Sequence, residues 1–365
     1  MANLVQEQNI IAKELNLPLL KENIRSWASE LGFGSVGITD IDLAEDKKYL
    51  DRWIQNGFQG EMHYMDRNLS KRDNPEELVS GTKRIISLTM NYLPKSYKGK
   101  ETLGNSEKAF VSGYATGRDY HKLMRSRLKK LASKIKKFSP HENRVFVDSA
   151  PVLEKAIARK AGLGWVGKNT LVMNKRSGSY FFLGEIYTDL ELPIDNPHTE
   201  SHCGTCTSCM DVCPTDAFVG PYQLDARKCI SYLTIEHKGS IDKELRPKMG
   251  NRIFGCDDCQ IFCPWNKFTK HTNEVDFQPR HNLDNAYLCD LFLWSEEEFN
   301  AKTEGSAIRR TGYDGWLRNI SIALGNAEYS TKNLETLRIR QNFPSEIVRE
   351  HVNWAIDEQL RKVNE

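Results

Sequence analysis

The residues of this chain best suited to redox chemistry are its cysteines. One run begins at Cys203 and reads Cys-x-x-Cys-x-x-Cys-x-x-x-Cys-Pro, and a shorter run begins at Cys256 and reads Cys-x-x-Cys-x-x-x-Cys-Pro. In such a run the first three thiolates bind one cubane cluster, and the fourth, which precedes the proline, reaches a different cluster. Two runs in one segment therefore predict two [4Fe–4S] clusters that exchange their last ligands.

The ligands of each cluster can be assigned, because the second run is one cysteine short. Ile253 occupies the position of its first ligand, and the isolated Cys229, between the two runs, is the obvious substitute. We predict that one cluster is bound by Cys203, Cys206, Cys209 and Cys263, and the other by Cys256, Cys259, Cys213 and Cys229.

Two other uses of these cysteines compete with clusters. Zinc is the main alternative, since CxxC pairs also form tetrahedral sulfur sites, but zinc sites rarely need the full four-cysteine run. Disulfides are not expected, because nothing marks the chain as secreted and cysteines in a cytosolic protein more often indicate metal or redox chemistry. The ninth cysteine, Cys289, lies in an apolar stretch and is expected to be a buried small residue.

The composition is that of an ordinary globular protein. Of its 365 residues, 39% are hydrophobic and 27% are charged, and the net charge is only +2. Binding to a polyanion would therefore need local basic patches. The first residues contain no basic segment followed by an apolar core, and no apolar run approaches the roughly 18 residues of a membrane span. We expect a cytoplasmic protein that does not enter a membrane.

The elements that must position these cysteines follow from the hydrophobic periodicity. Strands are predicted at 35–39, 84–93, 109–114, 144–147, 170–174 and 180–192, and helices at 20–31, partly at 53–67, at 121–138 and from after Pro151 through Lys160. Because strand and helix alternate, the sequence predicts a mixed α+β and α/β multidomain protein with a central sheet. The predicted domains are an α/β domain at 1–196, a ferredoxin-like cluster domain at 197–275 and a small α-helical, HEAT-like region at 276–365.

The helix from His121 to Phe138 is strongly basic outside its apolar stripe. Its lysines, including Lys129, Lys130 and Lys134, either contact nucleic-acid phosphates or form a solvated helix face. Its first residues, Asp119-Tyr-His121, resemble the start of a cobalamin-binding signature, but Met124 stands where that signature has glycine. His121 is therefore expected to be a surface or capping residue.

A second motif, Gly162-x-Gly-x-x-Gly167, matches a dinucleotide fingerprint by letter. It follows a helix and precedes a strand, which is the reverse of the context that brings pyrophosphate to a helix N-terminus. We reject dinucleotide binding. A glycine-rich turn that passes close to some other ligand remains open, and Lys168 and Asn169 would direct polar groups toward it.

Asp148 is the acidic residue best placed for catalysis. It follows a predicted strand and precedes a helix, which is where open α/β sheets bind ligands. The alternative is that Asp148 caps the helix that follows.

Four longer segments resemble the epoxyqueuosine reductase family. They are Asp148-Ser-Ala-Pro-Val-Leu-Glu-Lys155, Ala161-Gly-Leu-Gly-Trp-Val-Gly-Lys-Asn169, Cys229-Ile-Ser-Tyr-Leu-Thr-Ile-Glu-His237 and Gly255-Cys-Asp-Asp-Cys-Gln-Ile-Phe-Cys-Pro-Trp-Asn266. The resemblance implies a cobalamin-binding α/β domain fused to a two-cluster ferredoxin-like domain and a helical-repeat region. It also implies a reaction: removal of the epoxide oxygen from epoxyqueuosine at the wobble position of tRNA, giving queuosine.

The resemblance further implies roles for individual residues. Asp148 would be the proton donor, which requires a carboxyl that keeps its proton near neutral pH. Cobalamin would be contacted by Arg67, Asp148, Lys155, Lys168 and Asn169. We expect the tRNA to be contacted by His237, Lys238, Arg309, Arg310 and Arg318, although these could equally be ordinary surface charges.

The expected reaction explains why clusters and cobalamin would occur together. Deoxygenating an epoxide consumes two electrons and two protons and releases water. Clusters pass electrons singly and cannot attack carbon, so a second cofactor that accepts these electrons would supply the hard chemistry. Whether its cobalt attacks the epoxide carbon or delivers electrons without a bond is left open by the sequence. An unidentified low-potential donor would supply the electrons, and we expect the protein to be a monomer. The alternatives are a reductive dehalogenase, which usually carries a twin-arginine signal, and a plain ferredoxin, which would not need the long segment before the clusters.

Overall fold

The computed structural model describes residues 16–363 and is built around a four-stranded sheet. In chain order its strands are β1 (Val36–Thr39), β2 (Arg84–Asn91), β4 (Asn143–Phe146) and β7 (Phe181–Thr188), and they lie in the order β1-β2-β7-β4. The remaining strands form short pairs: β3 (Phe110–Val111) with β10 (Arg252–Phe254), β5 (Trp165–Val166) with β6 (Val172–Met173), and β8 (Phe218–Gly220) with β9 (Gln223–Leu224).

The helices cover both faces of the sheet and continue to the end of the described chain. They are α1 (Leu17–Glu30), α2 (Ala44–Gln55), α3 (Leu69–Asp73), α4 (Pro75–Leu78), α5 (Gly99–Leu103), α6 (Tyr120–Phe138), α7 (Glu154–Lys160), α8 (Ser208–Asp211), α9 (Ile230–Ile235), α10 (Arg246–Met249), α11 (Asp258–Ile261), α12 (Leu288–Phe292), α13 (Glu296–Lys302), α14 (Gly312–Asn326), α15 (Thr331–Arg338) and α16 (Glu346–Val363).

Apolar layers on the two faces of the sheet fix the helices that matter for the site. On one face, α1 and α6 bury their apolar stripes, including Leu20, Ile24, Leu128 and Leu131, against β2 and β7. On the other face, Ile157 of α7 packs with a smaller group of side chains from β2, β4 and β7. Because α6 and α7 lie on opposite faces, their first turns approach the end of β4 from two sides.

The central sheet confirms the prediction of a mixed α/β fold, but every strand pairing within it is antiparallel. Alternation of strands and helices had favoured an α/β domain, the class in which sheets are mostly parallel. An antiparallel pair forms when the connection starts and finishes at the same end of the sheet, as α2 to α4 do between β1 and β2. The parallel-sheet rule that drew attention to Asp148 therefore does not apply.

The largest apolar core joins all three predicted domains. Helix α14 contributes Trp316 and Ile320, both fully buried, and the same core contains Val111 from β3 and Phe254 from β10. Cys289 is also part of this core, as expected, and its thiol lies 3.2 Å from Asn333 Oδ1. The division into three domains and the helical-repeat architecture stay predictions, since one continuous core links the segments.

None of the described helices combines the length and the low polarity that crossing a lipid bilayer requires.

Candidate active site and cluster segment

Asp148 lies in a loop that leaves the end of β4. Its backbone has φ of 51°, a left-handed conformation that aspartate tolerates better than most residues. The Asp148 N–H donates to Glu154 Oε1 at 2.5 Å, and half of the Asp148 side chain is exposed. The alternative role as a helix cap is wrong, because α7 begins at Glu154 and Leu153 is its N-cap residue.

Two aromatic residues at the start of α6 face the Asp148 carboxylate. The Tyr120 ring stacks on Phe182 with centroids 3.8 Å apart, and its O–H donates to Asp148 Oδ2 at 2.7 Å. His121 Nε2 lies 3.4 Å from the same oxygen, and His121 Nδ1 lies 2.6 Å from Asp119 Oδ1. His121 is therefore part of the site and not the surface residue that the sequence predicted.

The charges of this group differ from those expected of a simple general acid. Burial raises the pKa of Asp148, but hydrogen bonds from His121 and Tyr120 outweigh it and hold the pKa below its usual value. Burial lowers the pKa of His121, but hydrogen bonds to Asp119 and Asp148 raise it overall to about 9. At neutral pH these shifts favour a protonated His121 and an ionised Asp148, which is the opposite of the raised Asp148 pKa expected from the sequence.

The mouth of the site is formed by residues from distant parts of the chain. Arg310 is exposed, forms an ion pair of 2.9 Å with Glu236 and lies over the Tyr64 ring at 5.9 Å. Its positive charge is one of the influences that lower the Asp148 pKa, so the C-terminal region reaches the catalytic candidate. Lys155 is also exposed, and its Nζ donates to Thr170 O at 3.0 Å.

The cysteines of one predicted ligand set line a common cavity, and several cysteines of the other set lie near enough to affect one another. Cys203, Cys206, Cys209 and Cys263 line one cavity of about 390 Å³. In the other set, burial raises the pKa of Cys229, and the negative charge of a nearby Cys213 thiolate raises it further. Burial also raises the pKa of Cys256 and Cys259, and the charge of a Cys229 thiolate adds to the rise in both. All eight are free thiols, and the assignment of iron ligands stays a prediction.

The polar residues after the glycine motif hold the cysteine loops. Lys168 Nζ donates to Gly204 O at 2.8 Å and to Cys206 O at 2.9 Å, and Asn169 Nδ2 donates to Cys259 O at 3.2 Å. A Cβ at Gly164 would stand 2.0 Å from Met173 O, so this glycine permits close backbone packing. The motif thus joins the sheet domain to both cysteine runs.

Arg67, the last predicted cobalamin contact, is exposed in the turns after α2. In the part of the chain that the structure describes, no side-chain hydrogen bond or ion pair connects it to the Asp148 group. Its predicted role stays untested.

The predicted tRNA contacts divide into exposed and buried residues. Arg318 is only 1% exposed and donates to the carbonyl oxygens of His237, Gly239 and Leu233, so its prediction as an RNA contact is wrong. It occupies the buried side of α14, which charge alone could not reveal. Arg309 and Arg310 are exposed, as the prediction requires.

His237 and Lys238 are partly engaged by the protein. His237 Nδ1 lies 3.2 Å from Glu61 Oε1, and Lys238 Nζ donates to Arg310 O at 3.0 Å. These contacts connect His237 to the turns after α2 and Lys238 to Arg310 at the mouth of the site. Contact of either residue with RNA stays a prediction.

The basic side chains of helix α6 have different surroundings in different parts of the helix. Toward its C-terminus, Lys134 forms an ion pair of 2.6 Å with Glu30, as a solvated face would. Toward its N-terminus, Arg125 and Lys129 line a groove of about 490 Å³ together with Arg144, and no acidic side chain of the described chain lines it. Arg125 also donates to Ser149 Oγ, so this groove adjoins the Asp148 loop.

Comparison with known proteins identifies the family. A family model described as "Epoxyqueuosine reductase QueG, DUF1730" matches residues 72–149, and one described as "4Fe-4S double cluster binding domain" matches residues 202–266. The chain is 60% identical over 338 residues to epoxyqueuosine reductase from Pseudomonas aeruginosa, which covers 92% of this chain and 94% of that protein. The chain belongs to the epoxyqueuosine reductase family.

Other epoxyqueuosine reductases agree with this assignment. The protein from Escherichia coli K12 is 51% identical over 355 residues, covering 97% of this chain and 93% of its own. A crystal structure of epoxyqueuosine reductase with an epoxyqueuosine-modified tRNA-Tyr stem loop superposes with a TM-score of 0.86 at 30% identity, covering 94% of this chain and 91% of that one. The resemblance is confirmed: this family member is an oxidoreductase with a 4Fe–4S cluster-binding domain.

Proposed function

We propose that the chain reduces epoxyqueuosine to queuosine at the wobble position of tRNA, in the cleft beside Asp148. The reaction adds two electrons and two protons, breaks both carbon–oxygen bonds of the epoxide and releases water. Two [4Fe–4S] clusters would carry the electrons from an external low-potential donor, and cobalamin would be the cofactor that meets the substrate.

The observation that carries this proposal is the continuous connection between the Asp148 group and the cysteine loops. Lys155, on the helix after Asp148, binds Thr170 O, and the adjacent Asn169 binds Cys259 O. Cys259 is near enough for its charge to affect the pKa of Lys155. The cluster bound by Cys213, Cys229, Cys256 and Cys259 would therefore lie next to the cleft, within reach for electron transfer.

The residues around the cleft fit a bound cofactor. Asp148 and Lys155 have exposed side chains, yet desolvation by surrounding protein is the largest influence on the pKa of each. Side chains that are exposed and yet surrounded by protein are typical of the walls of an open cleft. A ligand can bind in such a cleft without moving the residues of the apolar core. Lys155 would hold cobalamin there, which supplies a reduced cobalt nucleophile when bound. His121 would not be its ligand, since both ring nitrogens face carboxylates.

The protons would pass through Asp148 Oδ2. His121, with a pKa of about 9, carries a proton at neutral pH and lies 3.4 Å from that oxygen. Closing the cleft over substrate excludes water, which raises the pKa of a carboxylate and favours transfer of this proton to Asp148. Asp148 would then protonate the departing oxygen, and His121 would be the group that restores its proton.

The tRNA would be held on both sides of the cleft. Arg310, next to the exposed Arg309, is near enough to lower the pKa of Asp148, and the groove lined by Arg125, Lys129 and Arg144 adjoins the Asp148 loop through Ser149. Basic side chains that flank a pocket suit RNA recognition in which a loop base is turned out and phosphates are bound around it.

An anaerobic reaction tests the proposal. The protein with reconstituted clusters, cobalamin and a strong reductant is incubated with tRNA bearing epoxyqueuosine, and the digested nucleosides are weighed by mass spectrometry. We expect loss of the mass of one oxygen atom, dependent on cobalamin. An unchanged nucleoside, with clusters and cobalamin verified in place, would contradict the proposal.

A further inference from the structure

A buried carboxyl group lies directly beneath the Asp148 loop. Glu185 is on β7, the strand next to β4, where the sheet register places it opposite Ser87 on one side and Phe146 on the other. Glu185 is 0% exposed. Within residues 16–363, neither of its carboxylate oxygens has a hydrogen-bond partner, and the hydroxyls of Ser87 and Tyr187 nearby also lack one.

An acid in such a place must keep its proton. Burial, and then the negative charge of Glu154, raise the pKa of Glu185 well above its usual value. Burial also raises the pKa of Glu154, to about 7. Neighbouring carboxyl groups disfavour each other's ionised form, so we assign the proton of the pair to Glu185, the fully enclosed member. Glu154 and Ser87 are near enough to affect the pKa of Glu185, and Glu154 can hydrogen-bond Glu185 only when one of the two carboxyl groups carries a proton.

Glu154 connects this buried acid to the catalytic loop. It is the first residue of α7, and its Oε1 accepts from the Asp148 N–H at 2.5 Å. That hydrogen bond fixes the one residue of the loop with a left-handed backbone, Asp148 at φ 51°. Without an acceptor, the Asp148 N–H would have to find another partner, and the carboxylate would move with its backbone.

We propose that Glu154 is a positioning residue that fixes the Asp148 loop through the Asp148 backbone N–H, and that buried Glu185 keeps its proton and orients Glu154 by donating an O–H hydrogen bond to it. The proposal rests on the proposed function only in so far as Asp148 acts in the reaction. It explains why an ionisable side chain is kept in the buried middle of the sheet. The reacting proton does not come from this pair.

Variants at the two positions separate this role from a purely structural one. Glu154→Ala removes the acceptor, so kcat should fall roughly ten- to a hundred-fold, as expected when a catalytic group is misplaced by about an ångström. Glu154→Gln keeps an acceptor oxygen and should recover most of that loss. Glu185→Leu should lower kcat without lowering the melting temperature, since leucine fills the volume without a buried polar group. Glu185→Gln retains a donor and should lose less activity than Glu185→Leu.

The loop itself supplies a readout that does not depend on turnover. Hydrogen exchange of the Asp148 and Ser149 amides in the cluster-loaded protein should speed up by roughly ten-fold or more in Glu154→Ala, because the loop opens locally. Glu191→Gln is the matched control, since Glu191 is exposed and forms an ion pair with the exposed Lys83 at the protein surface. The proposal is overturned if Glu154→Ala exchanges at the wild-type rate, or if Glu185→Leu lowers the melting temperature and leaves kcat unchanged. If the wild-type protein shows no epoxyqueuosine reduction, the proposed function fails, but the exchange measurement still shows whether Glu154 fixes the Asp148 loop.

Discussion

The substitution Asp148→Asn should change the pKa of His121, because it removes one of the two carboxylates that face the His121 ring. The rise of the His121 pKa from its usual 6.5 to about 9 corresponds to about 3 kcal/mol of preference for the charged ring in the folded protein. Asp119, with 2.6 Å between Oδ1 and Nδ1, holds the larger share, and Asp148, at 3.4 Å from Nε2, holds the smaller. Removing the charge of Asp148 should therefore lower the His121 pKa by roughly 1 unit.

The same shift makes stability depend on pH in a definite direction. Because the His121 pKa is higher in the folded than in the unfolded chain, its stabilisation is fully present below about pH 6.5 and is lost as the pH rises through about 9. In Asp148→Asn this alkaline loss should shrink by about 1 kcal/mol. Asp119→Asn should shrink it further, because it removes the closer partner.

Two measurements check this prediction. The His121 ring can be titrated by NMR with labelled histidine, using His121→Gln to assign its signal, and unfolding free energies can be compared between pH 6.5 and 9. A wild-type His121 that titrates near 6.5 would refute the reasoning. So would a His121 pKa that stays the same when Asp148 is neutralised.

Four further predictions concern the clusters, the RNA and the stability of the fold. Cys229→Ala should remove one cluster and spare the other, so iron and sulfide should fall to about half, and two intact four-cysteine cubanes would refute the ligand assignment. Arg310→Gln should weaken tRNA binding and reduce its salt slope by about 1. Arg318→Met should instead destabilise the fold by roughly 2 kcal/mol, since it leaves buried carbonyls unpaired, and a salt-slope change there would contradict its burial. Lys129→Gln should weaken tRNA binding, whereas Lys134→Gln, already paired with Glu30, should not, and equal effects would argue against the groove.

The parts of the site that sequence reasoning found are those set by local spacing. Residues three or four positions apart in a cysteine run must share a loop, so the meeting of Cys203, Cys206 and Cys209 at one cavity was predictable. Cys229 as the substitute for a ligand at Ile253 stays a prediction. Asp148 stood out because it lies between a strand and a helix in a motif shared with a known family. Helix α6 was predictable from its apolar stripe, which ends where the structure ends it.

The missed parts depend on docking between distant segments. Tyr120 and His121 meet Asp148 only because α6 and β4 approach the same end of the sheet. The Asp119-Tyr-His sequence marked a helix start, and the Asp119 side chain does cap it through the His121 N–H at 3.0 Å. Nothing local indicated which group that first turn would face. Arg318 was misassigned for the converse reason: a charged residue was taken to be exposed, although α14 is enclosed by the largest core.

The antiparallel order of the sheet was also beyond local reasoning. Buried strands of β-branched and aromatic residues have the same pattern in both kinds of sheet when both faces are covered, as they are for β2 and β7. Pairing direction depends on where each connection re-enters the sheet, which no single segment records.

The most direct test of the central claim compares wild-type protein with Asp148→Asn in a single turnover of epoxyqueuosine-bearing tRNA under anaerobic reduction. Iron, sulfide, bound cobalamin and tRNA affinity are measured on both proteins first, so that only the carboxyl group differs. A general acid contributes roughly 10²- to 10⁴-fold. We predict that wild-type protein converts the nucleoside to the form one oxygen lighter, and that the variant, equally loaded, slows by at least the lower of these factors. Equal rates in the two proteins would contradict the assignment of Asp148 as the group that protonates the departing oxygen.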